Sequence, residues 1–545
     1  MRKPLLLVLA LTAVLSAQTY LPGPQVLTFF SDVDDSDQPY ALYLPRSFNA
    51  SKRYPLVISL HGAWSNHRLN LKRVFGKGNL PGESDLLASR YFQQFRDVDY
   101  IVASPFARGT MGYQGIAEKD VYDVLADVKR RFRVDEDRVY LTGLSMGGGG
   151  ALWLALTRPD IWAAVAPVCP AAPAGTEELA PNLLNVPVHL FHGDQDPTVP
   201  VAVSREWHKR LLGLGSPVQY VEYPAVKHNS WDEAYKNGAI FDWFAGYKRD
   251  RYPDRVRFVT RAYRYNRAYW VTIDRLIPGE TSSIDARFTG PNSIEVEASV
   301  GVAFTLSLKG HPKYQPRRPV RVTLNGALHT FSAGAEVSFA GGKPGRYTPK
   351  DGTKRAGAEG PIAEAVASAH VYVYGTEAAG DGQIRERREI AARAADWSTP
   401  QLKLLIANRV LSDAQVTDDD LKAANLVLFG TKETNSLIAR FADRLPLELN
   451  PGAADYGLVF IAPVNGRYVL VNSGLPWWTG QEQAPRGGAP FLRGAPYAVL
   501  LTLPDYILFK GSLANVVAEG RFDTNWKIPA GDRSKLLESG AVVIK

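Results

Sequence analysis

Between residues 56 and 223 the chain repeats one hydropathy unit, a short apolar run followed by a longer polar or helically patterned stretch. The runs are residues 56–60, 100–103, 139–142, 163–168, 188–191 and 218–223. Their apolar residues are consecutive rather than alternating. This predicts strands buried on both faces, as in a mostly parallel sheet covered by helices. Residues 118–132 place Val121, Leu125, Val128 and Phe132 at helical spacing among charged residues, the pattern of an amphipathic crossover helix. Residues 135–137 read as a polar turn into the strand 139–142. Ahead of the repeat, residues 28–44 alternate around the acidic stretch 32–37 and predict an antiparallel hairpin.

After residue 251 the pattern changes. Runs at 255–260, 269–273, 293–300, 303–308 and 320–324 predict a small β-domain, and the Gly-, Lys- and Pro-rich stretch 341–360 reads as a loop or linker. A second α/β pattern follows, with strands at 371–374, 403–406, 426–428, 457–461 and 468–471 and helices at 385–395 and 435–442. The expected organisation is a signal segment at 1–17, an α/β domain at 18–250, a β-rich domain at 251–345 and a second α/β domain at 361–545. No internal repeat is evident. A chain of 545 residues is long enough for several cores, and its 45% hydrophobic and 22% charged residues are those of ordinary globular protein.

The N-terminus carries Arg2 and Lys3, an apolar run at 5–15, then Ser16 and Ala17, which is the layout of a secretory signal. It predicts export to the periplasm or the exterior. No later segment is long and apolar enough to span a bilayer, so no stable membrane insertion is expected after signal removal. The single cysteine, Cys169, excludes an internal disulfide and a cysteine-rich metal site, and its apolar surroundings predict a buried thiol. The formal charge of +8 is unevenly spread: residues 18–250 hold 24 basic and 26 acidic side chains, residues 251–545 hold 37 and 29. The basic excess of the second half suits an acidic polysaccharide or an anionic surface, or is simply a solvated face. Arginine and aromatic interleaving of the kind that binds nucleic acid is missing.

The strand 139–142 runs into Gly143-Leu144-Ser145-Met146-Gly147, and a helical stretch at 151–156 follows. G-x-S-x-G between a strand and a helix demands a sharp turn that lifts the serine hydroxyl above the sheet, with glycines letting the backbone pass close by. The extra glycines at 148–150 are not a phosphate loop, since no Lys-Ser or Lys-Thr follows them. A serine nucleophile needs a base, and His228, just beyond the strand 218–223, is placed to supply it. The base needs an orienting acid. Asp194 and Asp196 both follow the strand 188–191, and Asp196 is the choice, with Asp194 as a turn residue. His61-Gly62-Ala63-Trp64 after the first strand occupies the place for an oxyanion hole, whose donors would be the amides of Ala63 and Met146. Trp64 and Trp231, beside these loops, are candidates for lining the substrate pocket.

On these motifs, residues 38–247 resemble the α/β-hydrolases that include secreted feruloyl and acetylxylan esterases, polyhydroxybutyrate depolymerase-like esterases and predicted peptidases related to the prolyl oligopeptidase catalytic domain. The resemblance rests on Arg138 to Gly148, on Phe191-His192-Gly193 with Asp196, and on Lys227-His228-Asn229-Ser230-Trp231. It implies a serine mechanism through an acyl-enzyme, with no metal and no cofactor, acting on a small ester, an esterified polysaccharide or a peptide. Ester hydrolysis ranks above peptide hydrolysis because no propeller precedes the hydrolase region. For residues 255–545, which the resemblance does not cover, a binding or scaffold role remains open. Two features there carry alternatives: the turn at 374–382 is a weak phosphate-loop candidate, and Trp477 with Trp478 is either a sugar-stacking face or a packed corner. Oligomeric state is not readable.

Overall fold

The computed structural model describes residues 20–398, 404, 406–481 and 495–545. The signal expected at 1–17 lies outside them. Residues 20–250 build an eight-stranded sheet in the order β1-β2-β4-β3-β5-β6-β7-β8. Its strands are β1 (Gly23–Ser31), β2 (Ser36–Leu44), β3 (Tyr54–Leu60), β4 (Ile101–Pro105), β5 (Val134–Leu144), β6 (Ala164–Val168), β7 (Val188–Gly193) and β8 (Val218–Tyr223). From β4 to β8 all neighbours run parallel, while β1 and β2 form an antiparallel hairpin at one edge. The helices that cover it include α1 (His67–Val74), the short α2 (Asp85–Ala88), α3 (Ile116–Arg131), α4 (Met146–Thr157) and α5 (Ala202–Gly213).

Every residue of β3, β4 and β6 is buried, which is why these strands read as unbroken apolar runs. Separate apolar layers lie on the two faces. One joins Val121, Leu125 and Val128 of α3 to Leu56 and Ile58, and the other joins Val57 and Tyr140 to Phe75, Phe241 and Phe244. Residues 135–137, expected as a polar turn, fall within the bounds of β5 but stand out of register there: Tyr54 pairs with Val134 and Leu56 with Val139, and the Asp137 amide donates to the Asp135 carboxylate. The carboxylates of this bulge are matched, Asp135 with Arg138 and Asp137 with Arg249 and Arg251, and regular pairing with β3 resumes at Val139.

Two five-stranded sheets follow and face each other across one core. One runs in the order Ala327–Phe331, Val320–Leu324, Ser293–Ala298, Ser282–Gly290 and Arg255–Thr260. Ser282–Gly290 was not legible because its buried positions alternate with Ser283, Asp285 and Arg287 and include small residues. The last region carries a seven-stranded mixed sheet. Its edge strand is Arg409–Ser412, not the expected 403–406; Leu404 and Ile406 lie outside any strand, and residues 403 and 405 fall outside the described set. Trp477 and Trp478 are both buried and pack edge to face, so the pair is a packed corner and not a sugar face. In the 374–382 turn, the carbonyls of Gly375 and Glu377 accept hydrogen bonds from Arg387, the bonding of an ordinary strand-to-helix turn.

The three regions are interlocked. The stretch 341–360, expected as a loop or linker, is pinned near its end. Lys354 forms a fully buried ion pair with Asp505, and the Glu359 carboxylate accepts from the amides of Tyr263 and Arg264. Val33 and Ile116 of the first region belong to the apolar core of the last. Beside them Arg108, completely buried, donates to Asp34, Asp120 and Ser31, and Asp34 also accepts from the Ala407 amide. Arg108→Met leaves two buried carboxylates without their cation. It should cost about 3–5 kcal/mol of stability, read as a lower midpoint of urea unfolding.

Candidate active site

The site is built where β5 turns into α4. Ser145 stands between them with φ 56° and ψ −118°, a conformation that costs a non-glycine residue about 1–3 kcal/mol. Its amide donates to the Val168 carbonyl at 2.9 Å, and its own carbonyl accepts from Gly149 at 3.0 Å and Ala171 at 3.1 Å. Glycine is required on either side. A Cβ on Gly143 would collide with the Gly147 backbone, and one on Gly147 with the Leu60 and His61 carbonyls. Helix α4 therefore crosses β3 and β5 at backbone contact. Its glycines pack the helix down, and Gly150 leaves room for the Tyr113 ring.

The structure brings Ser145, His228 and Asp196 together. His228 Nε2 lies 2.9 Å from Ser145 Oγ, and Nδ1 lies 2.7 Å from Asp196 Oδ2. An ionised carboxylate only accepts, so Nδ1 carries the proton and the Nε2 lone pair faces the serine hydroxyl. Burial opposes ionisation of Asp196. Hydrogen bonds from His228 and from the Val199 and Thr198 amides outweigh it, holding its carboxyl below the ordinary range. Asp194 makes no contact with His228; its amide donates to the Tyr223 carbonyl, and one carboxylate oxygen is buried without a partner.

A second imidazole, whose part in the site the sequence did not disclose, supports Asp196. His192 Nε2 lies 3.0 Å from the Val199 carbonyl and 3.2 Å from Asp196 Oδ2, and its Nδ1 faces the Ser204 hydroxyl at 2.7 Å. Burial pushes its pKa down, so the ring is neutral and donates through Nε2 toward both oxygens. The position of His192 at the end of β7 was the available signal. What the strand end did not reveal is that the ring points at the acid. Cys169 also adjoins the group, with Sγ 3.5 Å from the His228 carbonyl. Its thiol is buried and pushed up to about 12 by that burial, so it stays protonated. Cys169, Asp196 and His228 bring ligand-type atoms within 4.8 Å of one another. A protonated thiol and an imidazole proton already shared with the carboxylate suit a proton-transfer pair better than a metal.

The loop after β3 lies against the serine. Met146 opens α4, so its amide has no intrahelical acceptor. Ala63 sits across the turn in the His61–Trp64 loop, which is fixed from several directions. His61, fully buried, lies 2.8 Å from the Phe106 carbonyl through Nε2, the Tyr113 hydroxyl donates to the His61 carbonyl at 2.9 Å, and the Trp64 amide donates to Thr110 Oγ1 at 2.7 Å. Burial pushes the His61 pKa down. Of the two aromatic candidates, Trp64 is about half exposed, and Trp231 stands edge-on to the His228 ring with centroids 5.4 Å apart. Arg73 covers the Trp231 ring at 5.4 Å and reaches Ser65 at 3.3 Å.

Two family models match this region: the esterase PHB depolymerase model over residues 38–171 and the phospholipase/carboxylesterase model over residues 117–238. A curated protein named as an esterase, NocK of Nocardia uniformis subsp. tsuyamanensis, is 44% identical over 68 residues, 12% of this chain. The chain spans about one fifth of the length of that relative, 20%. Among solved structures, a thermostable esterase matches at 26% identity with a TM-score of 0.34, covering 42% of this chain and 63% of the other. A ferulic acid esterase matches at 23% and 0.33, covering 42% and 100%. The ferulic acid esterase of Anaeromyces mucronatus, solved with ferulic acid, matches at 15% and 0.31, covering 42% and 91%.

If Asp196 alone orients His228, Asp196→Asn should slow covalent labelling of Ser145 by a fluorophosphonate by about 10⁴-fold, the loss that follows from a wrong tautomer. Asp194→Asn should label at close to the wild-type rate. Mass spectrometry of the Ser145 peptide over time measures both, and the reverse ranking would exchange the two roles.

Proposed function

We propose that the esterase-like α/β-hydrolase domain over residues 38–238 makes this protein a serine hydrolase that cleaves carboxylic esters through an acyl-enzyme. The observation that carries the reading is the unbroken line from Ser145 Oγ through the His228 imidazole to Asp196, with the serine lifted out of the sheet at φ 56°. In the first step Ser145 Oγ attacks the ester carbonyl carbon while His228 Nε2 takes its proton. Asp196 holds the imidazole in the competent tautomer and stabilises it as it becomes charged. The amides of Ala63 and Met146 donate to the oxyanion as it forms. His228 then returns the proton to the departing alcohol, and water repeats the sequence on the acyl-enzyme to release the acid and restore Ser145.

Trp64 and Trp231 border the place where the substrate sits. The half-exposed Trp64 indole and the Trp231 indole, edge-on to the His228 ring, offer flat apolar surface that suits an aromatic acyl group, and this supports an aryl-acylated plant or microbial polysaccharide as substrate. Such a substrate lies outside the cell and agrees with the secretory layout of residues 1–17.

The deciding comparison sets the full chain against Ser145→Ala on short aryl esters, a feruloylated or acetylated polysaccharide and chromogenic peptides. Ester turnover that disappears with Ser145→Ala is expected. Peptide turnover without ester turnover would make the protein a peptidase, and Ser145-independent turnover would remove the assignment. A second test addresses the oxyanion loop. Thr110→Val keeps the shape of the side chain but removes the acceptor for the Trp64 amide, so kcat and kcat/KM should fall by the same factor with KM unchanged. Thr110→Ser should restore both; a change confined to KM would mean that the loop serves binding alone.

A further inference from the structure

At the seam between the first sheet and the β-sandwich lies a cavity of about 250 Å³. Four cationic side chains line it, Arg249, Arg251, Arg267 and Lys309, against a single carboxyl, Asp160. Their charges are unevenly satisfied. Arg249 and Arg251 share Asp137, whereas Arg267 and Lys309 make no ion pair with any described residue. Arg267 has only a long contact, 3.4 Å from Nε to the Tyr269 carbonyl. Arg249 Nε is buried with no partner at all, a donor left open in a protein whose buried polar groups are otherwise mostly bonded. One carboxyl faces four cations on the wall, so the cluster keeps a positive excess; burial pushes the Asp160 carboxyl up, and Arg267 and Arg249 pull it back.

We propose that this cavity anchors an anionic sugar unit, such as a uronate residue of an acidic polysaccharide, with the carboxylate held by Arg267 and Lys309. The space is that of a ring rather than of a lone tetrahedral ion, and Ser307 and Tyr252 on the wall supply hydroxyls to meet those of a sugar. The site is separate from the serine. Asp137, which holds Arg249 and Arg251, lies in the bulge of β5 ahead of Val139, and Ser145 follows the far end of that strand, six residues and about 20 Å from Val139 along its extended part. A polymer bound here is tethered beside the hydrolase domain without entering its active site. The basic excess of residues 251–545 favours association with acidic chains in general. That tethering serves ester turnover rests on the function proposed above; the binding itself does not.

Isothermal titration of the full chain with tri-galacturonate, xylotriose and inorganic phosphate, repeated with the double variant Arg267→Gln/Lys309→Gln, tests the site without any catalytic readout. The expected result is tri-galacturonate binding that weakens as salt is raised, at least tenfold weaker binding in the double variant, and no comparable xylotriose signal. The variant should keep wild-type turnover of a short aryl ester, since neither residue touches the serine site. Equal binding by the variant, equal binding of xylotriose, or phosphate binding as tight as tri-galacturonate would each overturn the assignment. Loss of aryl-ester turnover in the wild type would count against the proposed function and leave the binding result standing.

Discussion

The backbone of Ser145 is the constraint on which the site depends. A serine held at positive φ is unfavourable in isolation and persists only because its surroundings leave no alternative. The Val168 carbonyl takes its amide, the Gly149 and Ala171 amides take its carbonyl, and α4 is pressed onto β3 at the contact made possible by Gly143 and Gly147. With that turn fixed, the hydroxyl projects beyond the ends of the parallel strands. The loops after β7 and β8 then bring Asp196 and His228 to it. The strain is small against the stability of a large buried sheet, and it sets the direction of one oxygen atom.

The second half of the site, the loop His61–Trp64, is held by the segment that links β4 to α3. That segment reaches in two directions. Toward the serine it offers the Phe106 carbonyl to His61, the Tyr113 hydroxyl to the His61 carbonyl and the Thr110 hydroxyl to the Trp64 amide. Away from the serine it carries Arg108 into a buried cluster with Asp34 and Asp120, and sends Met111 and Ile116 against the core of the C-terminal region. Asp34 is tied by the Ala407 amide to that same region. The C-terminal region is thus packed behind the loop that shapes the site, and it is not an appendage on a slack linker. Buried ion pairs contribute little net stability, but a guanidinium shared by two carboxylates fixes geometry, because any other arrangement leaves a charge buried and unpaired.

Around the imidazole, polar groups equally withdrawn from water differ in the hydrogen bonds they receive. Asp196 is surrounded by donors and stays ionised, His192 is buried and neutral, and the Cys169 thiol is buried and protonated. Of these three groups Asp196 alone is charged, and it faces Nδ1, the nitrogen that carries the proton. The other nitrogen is left free to accept from Ser145. This division of roles follows from the hydrogen bonds that replace water at each group.

The sequence by itself determined the elements and most of the chemistry. Unbroken apolar runs disclosed a parallel sheet because its strands are buried on both faces, and G-x-S-x-G disclosed the turn because only glycine tolerates backbone contact at those two positions. The order of Ser145, Asp196 and His228 along the chain was legible for the same reason: each stands at the end of a recognisable strand. The tertiary structure alone decided what depends on approach between distant segments. It brought the Asp196 carboxylate within 2.7 Å of His228, turned His192 toward that acid and made Trp477 and Trp478 core. It also anchored the bulge at Asp135–Asp137 by bringing Arg249 and Arg251 to Asp137. Hydropathy records how far each residue is from water, but not which partner a polar residue meets once water is gone, and it is those partners that place the site.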